Sequence, residues 1–399
     1  MKRFDYRARN EKGEIVKGSV QAEDEYEAGK LIVGSGLVPQ AITEANTGGF
    51  LNNLLNRITT KDKIIFTRQF ATLIGAGLPL AQSLQTIAEQ TISKPMRGVV
   101  EDILATVEGG KPLADAMEKF PKVFNNVYVA LIRSGEYSGT LDKSLSRLAN
   151  QLEKDAEMMS KIRGAMVYPA IVLVVIVLVM GFMLFTVIPQ VELLYNDLHQ
   201  SLPFITEIMV GVSRFIIKWW WAIGGVIIGL IFLFIQFLRT KTGTRFKHSF
   251  ALNVPVFKGL FRRLYMARFS RTSQILLESG VPILDMLDIS SDAVNNVIIA
   301  ESIDKAAELV KGGKALSESL KIQDYVLPIV TQMIGIGEQS GKMDEMFGKA
   351  AEVLEREVDE EIRTISTMIE PILMVFLAIV AGGMLFAVLF PIYALVNMV

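Results

Sequence analysis

Cysteine is absent from this chain of 399 residues, and histidine occurs only at His199 and His248. The absence of cysteine excludes disulfides, thiolate metal sites and a cysteine nucleophile. Two histidines leave little material for a histidine-based metal or acid–base site. The net charge is −1, so no overall positive field favours nucleic acid. The N-terminal segment MKRFDYRARNEKGE is densely charged without an apolar core, and it does not have the pattern of a secretory signal.

Charge is missing from three long runs, and these determine the predicted class of protein. Residues 164–191, 219–238 and 371–399 contain no Asp, Glu, Lys or Arg. A helix crosses a bilayer core with about 20 apolar residues, so each run is long enough to span once. With 51% hydrophobic residues and a mean hydropathy of +0.37, the chain is too apolar for a purely soluble protein. We predict an all-α membrane protein with three transmembrane helices.

Basic residues near the ends of these runs predict the orientation. Cations cluster before the first run (Lys154, Lys161, Arg163), after the second (Arg239, Lys241, Arg245, Lys247) and before the third (Arg356, Arg363). The segment 192–218 instead mixes three acids with two cations. Because basic flanks stay in the cytoplasm, the N-terminus is predicted inside and the C-terminus outside. Trp219, Trp220 and Trp221 then lie at the outer end of the second span.

The remaining sequence predicts a small N-terminal module and two helical bundles. FDYRA and EIVKGSV read as short strands around a turn at Asn10–Gly13, and Ala22–Val33 has helical spacing. The predicted segments are an α+β module (1–42), a linker (43–59), a cytoplasmic bundle (60–163), a span (164–191), a short periplasmic loop (192–218), a span (219–238), a second cytoplasmic bundle (239–369) and a span (370–399).

The two bundles are copies of one another. LIGAGLPL (73–80) aligns with LLESGVPI (276–283) at an offset of 203, and SGEYSGTLD (134–142) aligns with IGEQSGKMD (336–344) at an offset of 202. These matches, in the same order along both halves, predict an internal duplication. The positions shared by both copies are Gly77 and Gly280, Pro79 and Pro282, Glu136 and Glu338, Gly139 and Gly341, and Asp142 and Asp344.

The repeated GE-x-SG motif imitates a phosphate-binding loop without meeting its requirements. In the second copy, Gly337 and Gly341 are separated by three residues rather than four, and Met343 follows Lys342 where Ser or Thr is needed. We therefore interpret the motif as a turn that starts a long helix, with Asp142 and Asp344 favouring the helix dipole. The glutamates would then cap or link helices, with a Ca²⁺ site at Glu136 or Glu338 as the alternative.

Two expectations about helix ends follow from the same region. The helix before the motif is expected to end at Ser134–Gly135, and the helix after it carries an apolar stripe from Leu141 to Ile162. Pro169 stands where this helix meets the first span, so the sequence leaves open whether helix and span are continuous. The pattern shows no catalytic triad, no metal motif and no charge inside a span, so no enzyme, cofactor or ion-coupled transporter is indicated.

These motifs resemble one family along essentially the whole chain. The duplicated bundle with GEYSGTLD and GEQSGKMD, the glycine–proline turns, the three spans and the opening FDYRARNEKGEIVKGSVQAEDEYEA resemble the type II secretion system F family. Its members, GspF and PilC, are inner-membrane platform proteins of type II secretion and type IV pilus machines.

The resemblance implies a non-enzymatic platform in the bacterial inner membrane, with its C-terminus in the periplasm. Its implied partners are a hexameric cytoplasmic ATPase, pilin or pseudopilin subunits, other inner-membrane assembly proteins and a second copy of itself, a dimer being favoured. The platform would couple the ATPase to insertion and extraction of pilins. Two other classes stay open at this point. A small transporter or channel would produce flux without other components, and a membrane-bound enzyme would bind nucleotide.

Overall fold

The computed structural model describes residues 2–9, 15–22, 24–34, 36–44, 57–197, 204–255 and 257–396. The turn predicted at Asn10–Gly13 lies outside these residues, as do positions 45–56 of the predicted linker, positions 198–203 of the predicted loop, and 397–399. The chain divides into two compact units. The smaller comprises Met1–Asp62 with Thr91–Gly98, and the larger comprises Lys63–Gln90 with Val99–Val399.

The N-terminal residues form the predicted α+β module. Its elements are β1 (Lys2–Arg9), β2 (Ile15–Ala22), α1 (Glu25–Gly34) and β3 (Val38–Glu44). The sheet is antiparallel with the order β2-β1-β3. Tyr6 pairs with Gly18, where an added Cβ would lie only 2.6 Å from the Tyr6 hydroxyl, so the glycine makes room for the ring across the ladder.

The rest of the described chain is helical. The first repeat contains α2 (Thr60–Gly75), α3 (Leu80–Gln90), α4 (Lys94–Glu108), α5 (Leu113–Glu118), α6 (Asn126–Ser138) and α7 (Leu141–Phe182). The connecting helices are α8 (Ile188–Asp197), α9 (Phe204–Arg239) and α10 (Lys241–Asn253). The second repeat contains α11 (Lys258–Glu278), α12 (Ile283–Ala293), α13 (Val297–Lys311), α14 (Leu316–Lys321), α15 (Pro328–Ser340) and α16 (Met343–Val396). The predicted all-α membrane class is confirmed.

Among the described residues, three helical stretches are long and apolar enough to cross a membrane: Leu141–Asp197, Thr206–Arg239 and Met343–Phe386. The question left open at Pro169 is answered, because α7 runs unbroken through this proline, which is buried. The α16 helix likewise continues from the second repeat into its span without a break. Each repeat is therefore joined to a span by one continuous helix.

The first continuous helix changes its winding near its far end. Residues Met183–Val187 form a π-helical turn between α7 and α8, and Pro189 is the second residue after it. Proline has no backbone N–H to donate one turn back, and a π-turn is a common way to accommodate such a break. The Ser213 hydroxyl, on α9, donates to the Leu184 carbonyl within this turn. A polar side chain from a neighbouring helix thus satisfies a carbonyl at the irregular turn.

The segment predicted as a short loop is largely helical where it is described. The α8 helix extends to Asp197 and α9 begins at Phe204, fifteen residues before the predicted span. Thr206, Val210 and Ser213 are buried at helical spacing, so one face of this segment packs against the protein. A search for uncharged runs misses such a segment because its other face is charged. The two parts of α9 meet at a kink at Trp219 (φ −113°, ψ 17°).

Aromatic rings pack in the core of each repeat. In the first repeat, the ring centroids of Phe66 and Phe124 are 5.8 Å apart, and those of Phe124 and Tyr128 are 4.8 Å apart. In the second repeat, Phe269 occupies the position of Phe66 and packs edge-on against Phe347 at 5.7 Å. All five rings are buried, and each contributes about 1.5–3 kcal/mol of apolar transfer free energy.

The two long helices also contact each other, but through different faces. Met158 on α7 is buried among Leu260, Leu264, Val358, Ile362 and Ile365 of the second repeat. The α16 residue equivalent to Met158 is Glu360, which is exposed. The contact between the repeats is therefore not a symmetric pairing of equivalent surfaces, since α7 buries an apolar outer face where α16 keeps a polar one.

An ion pair is duplicated together with the fold. Arg68 binds Glu153 in the first repeat (2.5 Å), and the equivalent Arg271 binds Glu355 in the second (2.7 Å). The exposed fractions of the side chains are 38% and 43% in the first pair but 11% and 21% in the second. Lys154 of the first repeat covers Glu355 at 3.7 Å, which explains part of this difference.

We predict that the two arginines differ in their contribution to stability. Arg271→Met leaves the Glu355 charge partly buried and should lower the free energy of unfolding by about 3 kcal/mol. Arg68→Met removes the equivalent pair in solvent and should cost less than about 1 kcal/mol. Denaturant unfolding of the two variants in the same detergent measures the difference. Equal losses would show that burial does not set the strength of these pairs.

Candidate functional site at the two helix joints

The repeated GE-x-SG motif forms a tight joint between two helices in each repeat. In the first joint, α6 ends at Ser138, Gly139 adopts φ 70° and ψ 17°, and α7 begins at Leu141. In the second, Gly341 adopts φ 71° and ψ 13° between α15 and α16. Both glycines donate their N–H to the carbonyl four residues earlier. The left-handed backbone at this position favours glycine over any residue with a Cβ.

The helix before the first joint is longer than expected. The α6 helix passes through Ser134 and Gly135, where its end was predicted, and continues to Ser138. Gly135 does not interrupt the helix; it lets the next helix approach. A Cβ added there would lie 2.5 Å from Ser144 Oγ and 3.1 Å from Leu141 Cα. The equivalent Gly337 is packed in the same way, with Met343 Cα 3.0 Å from the added Cβ.

The motif glutamate of the first repeat caps a different helix. Glu136 Oε1 accepts the Leu113 N–H at 2.7 Å, and Oε2 accepts the Ala114 N–H at 3.1 Å. These are the first two residues of α5, which has only six residues. Its N-cap residue is Pro112, whose side chain makes no capping hydrogen bond. The carboxylate therefore supplies, from 22 to 23 residues away, the acceptors that the start of α5 lacks.

The second repeat contains the same cap. Glu338 Oε1 accepts the Leu316 N–H at 2.5 Å, and Oε2 accepts the Ser317 N–H at 3.3 Å. The Ser317 hydroxyl also donates to Oε2. Here the N-cap residue of α14 is Ala315, which again has no side-chain cap. A negative charge at a helix N-terminus is further favoured by the helix dipole. Both joints are thus tied to the short helix of their own repeat by the same two-oxygen contact.

This geometry favours the capping interpretation of the glutamates over a cation site. Both oxygens of each carboxylate already accept backbone N–H groups. Within the part of the chain that the structure describes, no group of three or more His, Cys, Asp or Glu side chains is arranged to hold a metal ion. Asp142 and Asp344 lie in the first turns of α7 and α16, facing the positive ends of these helices.

The glycine–proline positions form a second pair of turns. Gly77 and Gly280 adopt φ 84° and 81° after α2 and α11, where they end these helices. Pro79 and Pro282 then stand immediately before α3 and α12, and their carbonyls accept the first helical hydrogen bonds. The prolines fix the backbone at the helix entrance, one residue before the first helical residue. These turns are structural, and they are separate from the capped joints.

The exposed residues of the two joints differ. Tyr137 is 82% exposed in the first joint, where the second has Gln339. Thr140 forms a hydrogen bond with Ser138 between hydroxyls 2.7 Å apart, whereas the equivalent Lys342 lies 3.3 Å from Glu345. The internal contacts of the joint are therefore duplicated, but its outer surface is not.

A lysine in the first repeat has an altered ionisation. Burial lowers the pKa of Lys63 to about 8, and the charge of Asp155 partly offsets this. Its Nζ lies 5.1 Å from the ring centroid of Tyr128, whose pKa is raised by burial. The Tyr128 hydroxyl lies 3.1 Å from Thr67 Oγ1. This small polar group lies within the helical core, and we assign it to packing of the bundle.

Comparison with known proteins agrees with the duplicated geometry. The family model described as "Type II secretion system (T2SS), protein F" matches residues 66–189 and again 269–391. The model of the N-terminal domain of the same family matches residues 1–43. The chain belongs to the type II secretion system protein F family. The two matches begin 203 residues apart and end 202 apart, the offsets of the glycine–proline turns and of the joints, so the duplication is confirmed.

Members of this family resemble the chain over nearly its full length. The type IV pilus assembly protein PilC of Thermus thermophilus is 35% identical, covering 99% of this chain and 98% of the relative. The PilC protein of Myxococcus xanthus is 36% identical over 98% and 94%. The type II secretion system protein F of Pseudomonas aeruginosa is 32% identical over 100% of both chains. The relatives thus include proteins named for pilus assembly and for secretion.

The close approach at Gly135 gives a prediction with an internal control. Gly135→Ala should push α7 away from α6 and destabilise the protein by about 1–3 kcal/mol, because the new methyl group overlaps Ser144. Gly98→Ala, in an open position of α4, should be neutral or stabilising by up to about 1 kcal/mol. Thermal unfolding of both variants tests this. A Gly135→Ala protein as stable as Gly98→Ala would contradict the packing described.

The cap at Glu136 gives a second prediction. Glu136→Ala leaves the Leu113 and Ala114 N–H groups without their acceptors and should cost about 1–3 kcal/mol. Glu136→Gln keeps one acceptor oxygen and should lose less. Hydrogen exchange at α5 reports the cap directly, and faster exchange confined to this helix is the expected result. Unchanged protection of α5 in Glu136→Ala would rule out the capping role.

Proposed function

We propose that this protein is the inner-membrane platform of a type IV pilus or type II secretion machine. In this role it couples a hexameric cytoplasmic ATPase to the insertion and extraction of pilin or pseudopilin subunits. The observation that carries the proposal is the pair of joints, each tied to a short helix and each continuous with a membrane span. The names of its relatives, PilC and type II secretion system protein F, support the choice of machine.

The arrangement of the chain about the membrane is part of this proposal. Residues 60–163 and 239–369 are assigned to the cytoplasm, with the N-terminus inside and the C-terminus in the periplasm. The basic clusters that flank the spans support this orientation. With two bundles on the cytoplasmic side of the membrane and few residues on the periplasmic side, the protein is suited to respond to movement of a cytoplasmic ATPase. Other inner-membrane assembly proteins and a second copy of the chain, as a dimer, complete the expected surroundings.

Each joint is well placed to pass on a movement. From Leu141 to the start of the apolar run at Gly164, α7 has 23 residues, or about 35 Å of continuous helix. The Gly139 turn sets the direction of α7, and the Glu136 cap fixes that turn to α5. A partner that displaces α5 would therefore tilt α7. The same reasoning applies to Glu338, α14 and α16.

The two long helices are also connected to each other. Lys161 on α7 binds Asp359 on α16 at 2.8 Å, and both residues precede the apolar runs of their helices. Arg147 of the first repeat also binds Glu278 of the second repeat, at 3.1 Å. With Met158 buried in the second repeat, these contacts favour joint movement of the two helices. Because Tyr137 and Thr140 are replaced by Gln339 and Lys342, the joints are expected to meet different partners or different parts of one.

The double variant Glu136→Ala with Glu338→Ala tests the proposal. We expect it to abolish pilus assembly or secretion while the protein remains in the membrane at normal amount, because both joints lose their caps. The matched control is Asp142→Ala with Asp344→Ala, which removes the same charge from the same turns and should leave assembly nearly normal. Assembly is measured as surface pili or secreted protein per cell, and membrane level by immunoblot.

The outcomes separate the competing functions. Normal assembly in the double glutamate variant would remove the functional role of the joints. Co-purification of the wild-type protein with an assembly ATPase and a pilin supports the platform. Flux through vesicles containing this protein alone would instead favour a transporter or channel.

A further inference from the structure

One segment of the chain is strongly one-sided in charge. No acidic residue lies between Glu207 and Glu278. Within this interval, residues 239–271 contain nine Lys and Arg residues. They follow directly on the second span, since Arg239 is the last residue of α9 and α10 begins at Lys241. A basic segment next to a span calls for acidic partners, either in the protein or outside it.

The protein supplies partners for some of these cations but not for all. Arg263 binds Glu357 and Glu361, each at 2.7 Å, and Arg271 binds Glu355. In α10, Arg245 binds Glu301 of α13 at 2.6 Å. Four exposed cations have no such partner: among the described residues, no carboxylate lies within ion-pair distance of Arg239, Lys241, Lys247 or Lys258. The first three are at the junction of α9 and α10, next to the span.

The direction of α10 is fixed relative to the end of the span. Thr240 caps α10 by accepting the Gly243 N–H at 3.0 Å. A Cβ added to Gly243 would overlap the Phe237 carbonyl oxygen, so the chain turns back tightly on the end of α9. The rings of Phe237 and Phe246 then meet at 6.4 Å between centroids. Because Phe237 belongs to the apolar run, this contact brings the first turns of α10 to the edge of the bilayer core.

The α10 helix has one face toward the protein and an aromatic face toward solvent. His248 and Leu252 are directed inward, and the His248 Nδ1 accepts the Val297 N–H at 3.1 Å. Burial and the neighbouring Lys247 lower the pKa of His248, which keeps the ring neutral and able to accept. Phe246 and Phe250 are 54% and 62% exposed and stack at 6.2 Å. Exposed apolar side chains that form a contiguous patch mark sites of interaction with proteins or membranes.

We propose that α10 lies in the membrane–water interface and binds the headgroups of anionic phospholipids through Arg239, Lys241 and Lys247. The aromatic pair Phe246 and Phe250 occupies the boundary with the acyl chains. A helix with basic flanks and an aromatic face has the composition of interfacial lipid-binding helices. The span holds α10 at the bilayer surface by covalent continuity, which favours lipid over a soluble protein partner. The contacts of Arg245 and His248 connect this helix to α13 of the second repeat.

Native mass spectrometry of the full chain tests the lipid preference. The protein in detergent is titrated with an anionic and a zwitterionic phospholipid of identical acyl chains. Lys241→Gln with Lys247→Gln should weaken the preference for the anionic lipid about 5- to 30-fold. Arg239 and Arg245 are kept so that the basic flank of the span remains. A preference that is unchanged in this variant overturns the proposal.

The matched control removes the same charge far from the membrane. Lys111 and Lys314 are exposed and lie beside the capped ends of α5 and α14. From the second joint to the membrane edge, α16 extends about 40 Å. Lys111→Gln with Lys314→Gln should leave the lipid preference within twofold of wild type. An equal loss in this control would mean that net charge, and not α10, sets the preference, and would also overturn the proposal.

The depth of α10 can be measured separately, because the chain has no cysteine to interfere with labelling. A nitroxide at Phe250→Cys, in nanodiscs containing about one-third anionic lipid, should collide with oxygen in preference to a water-soluble nickel chelate. A nitroxide at Lys314→Cys should show the reverse. Free access of nickel to position 250 would show that α10 stands off the membrane. Exclusion of both reagents would show a protein partner on this face, and either result contradicts the proposal.

Discussion

Two short helices have backbone N–H groups at their start for which their own N-cap side chains offer no acceptor. This requirement determines how the ends of the two bundles are built. The α5 and α14 helices have six residues each, and their N-cap residues, Pro112 and Ala315, offer no acceptor. A glutamate from the next helix takes that role in both repeats. Because the same glutamate lies one turn before the left-handed glycine, the cap also sets where the long helix begins. The course of each long helix into the membrane thus follows from a local hydrogen-bonding requirement.

Duplication kept this requirement and relaxed others. The capping carboxylates, the left-handed glycines and the tightly packed Gly135 and Gly337 occur in both copies. The outer faces of the long helices have diverged, so that Met158 is buried where Glu360 is solvated. Internal contacts of a repeat constrain both copies equally, whereas each outer face meets a different neighbour. The same helix position therefore packs against the other repeat in α7 and is exposed to solvent in α16.

Several features cannot be predicted from the sequence for the same reason. Periodicity indicates which residues are buried, but it does not indicate which residues they pack against. The sequence predicts a helix end at Gly135, because glycine often stops helices; the neighbour that makes this glycine necessary, Ser144, is known only from the packing. The buried face of α9 before Trp219 was hidden by charges on its other side. The ion pairs of Arg68 and Arg271 could have been found from the shared offset, but their difference in burial could not.

The sequence alone determined the class, the three spans, the N-terminal α+β module and the duplication with its register, because apolar length and repeated turn residues are properties of the chain. It also singled out Glu136 and Glu338 without deciding between a cap and a cation site. Only the tertiary structure showed that their oxygens accept N–H groups of helices 22 residues away, and that α7 passes through Pro169 unbroken. Those outcomes depend on which backbone groups are brought close together when the helices pack. A local sequence pattern does not contain this information.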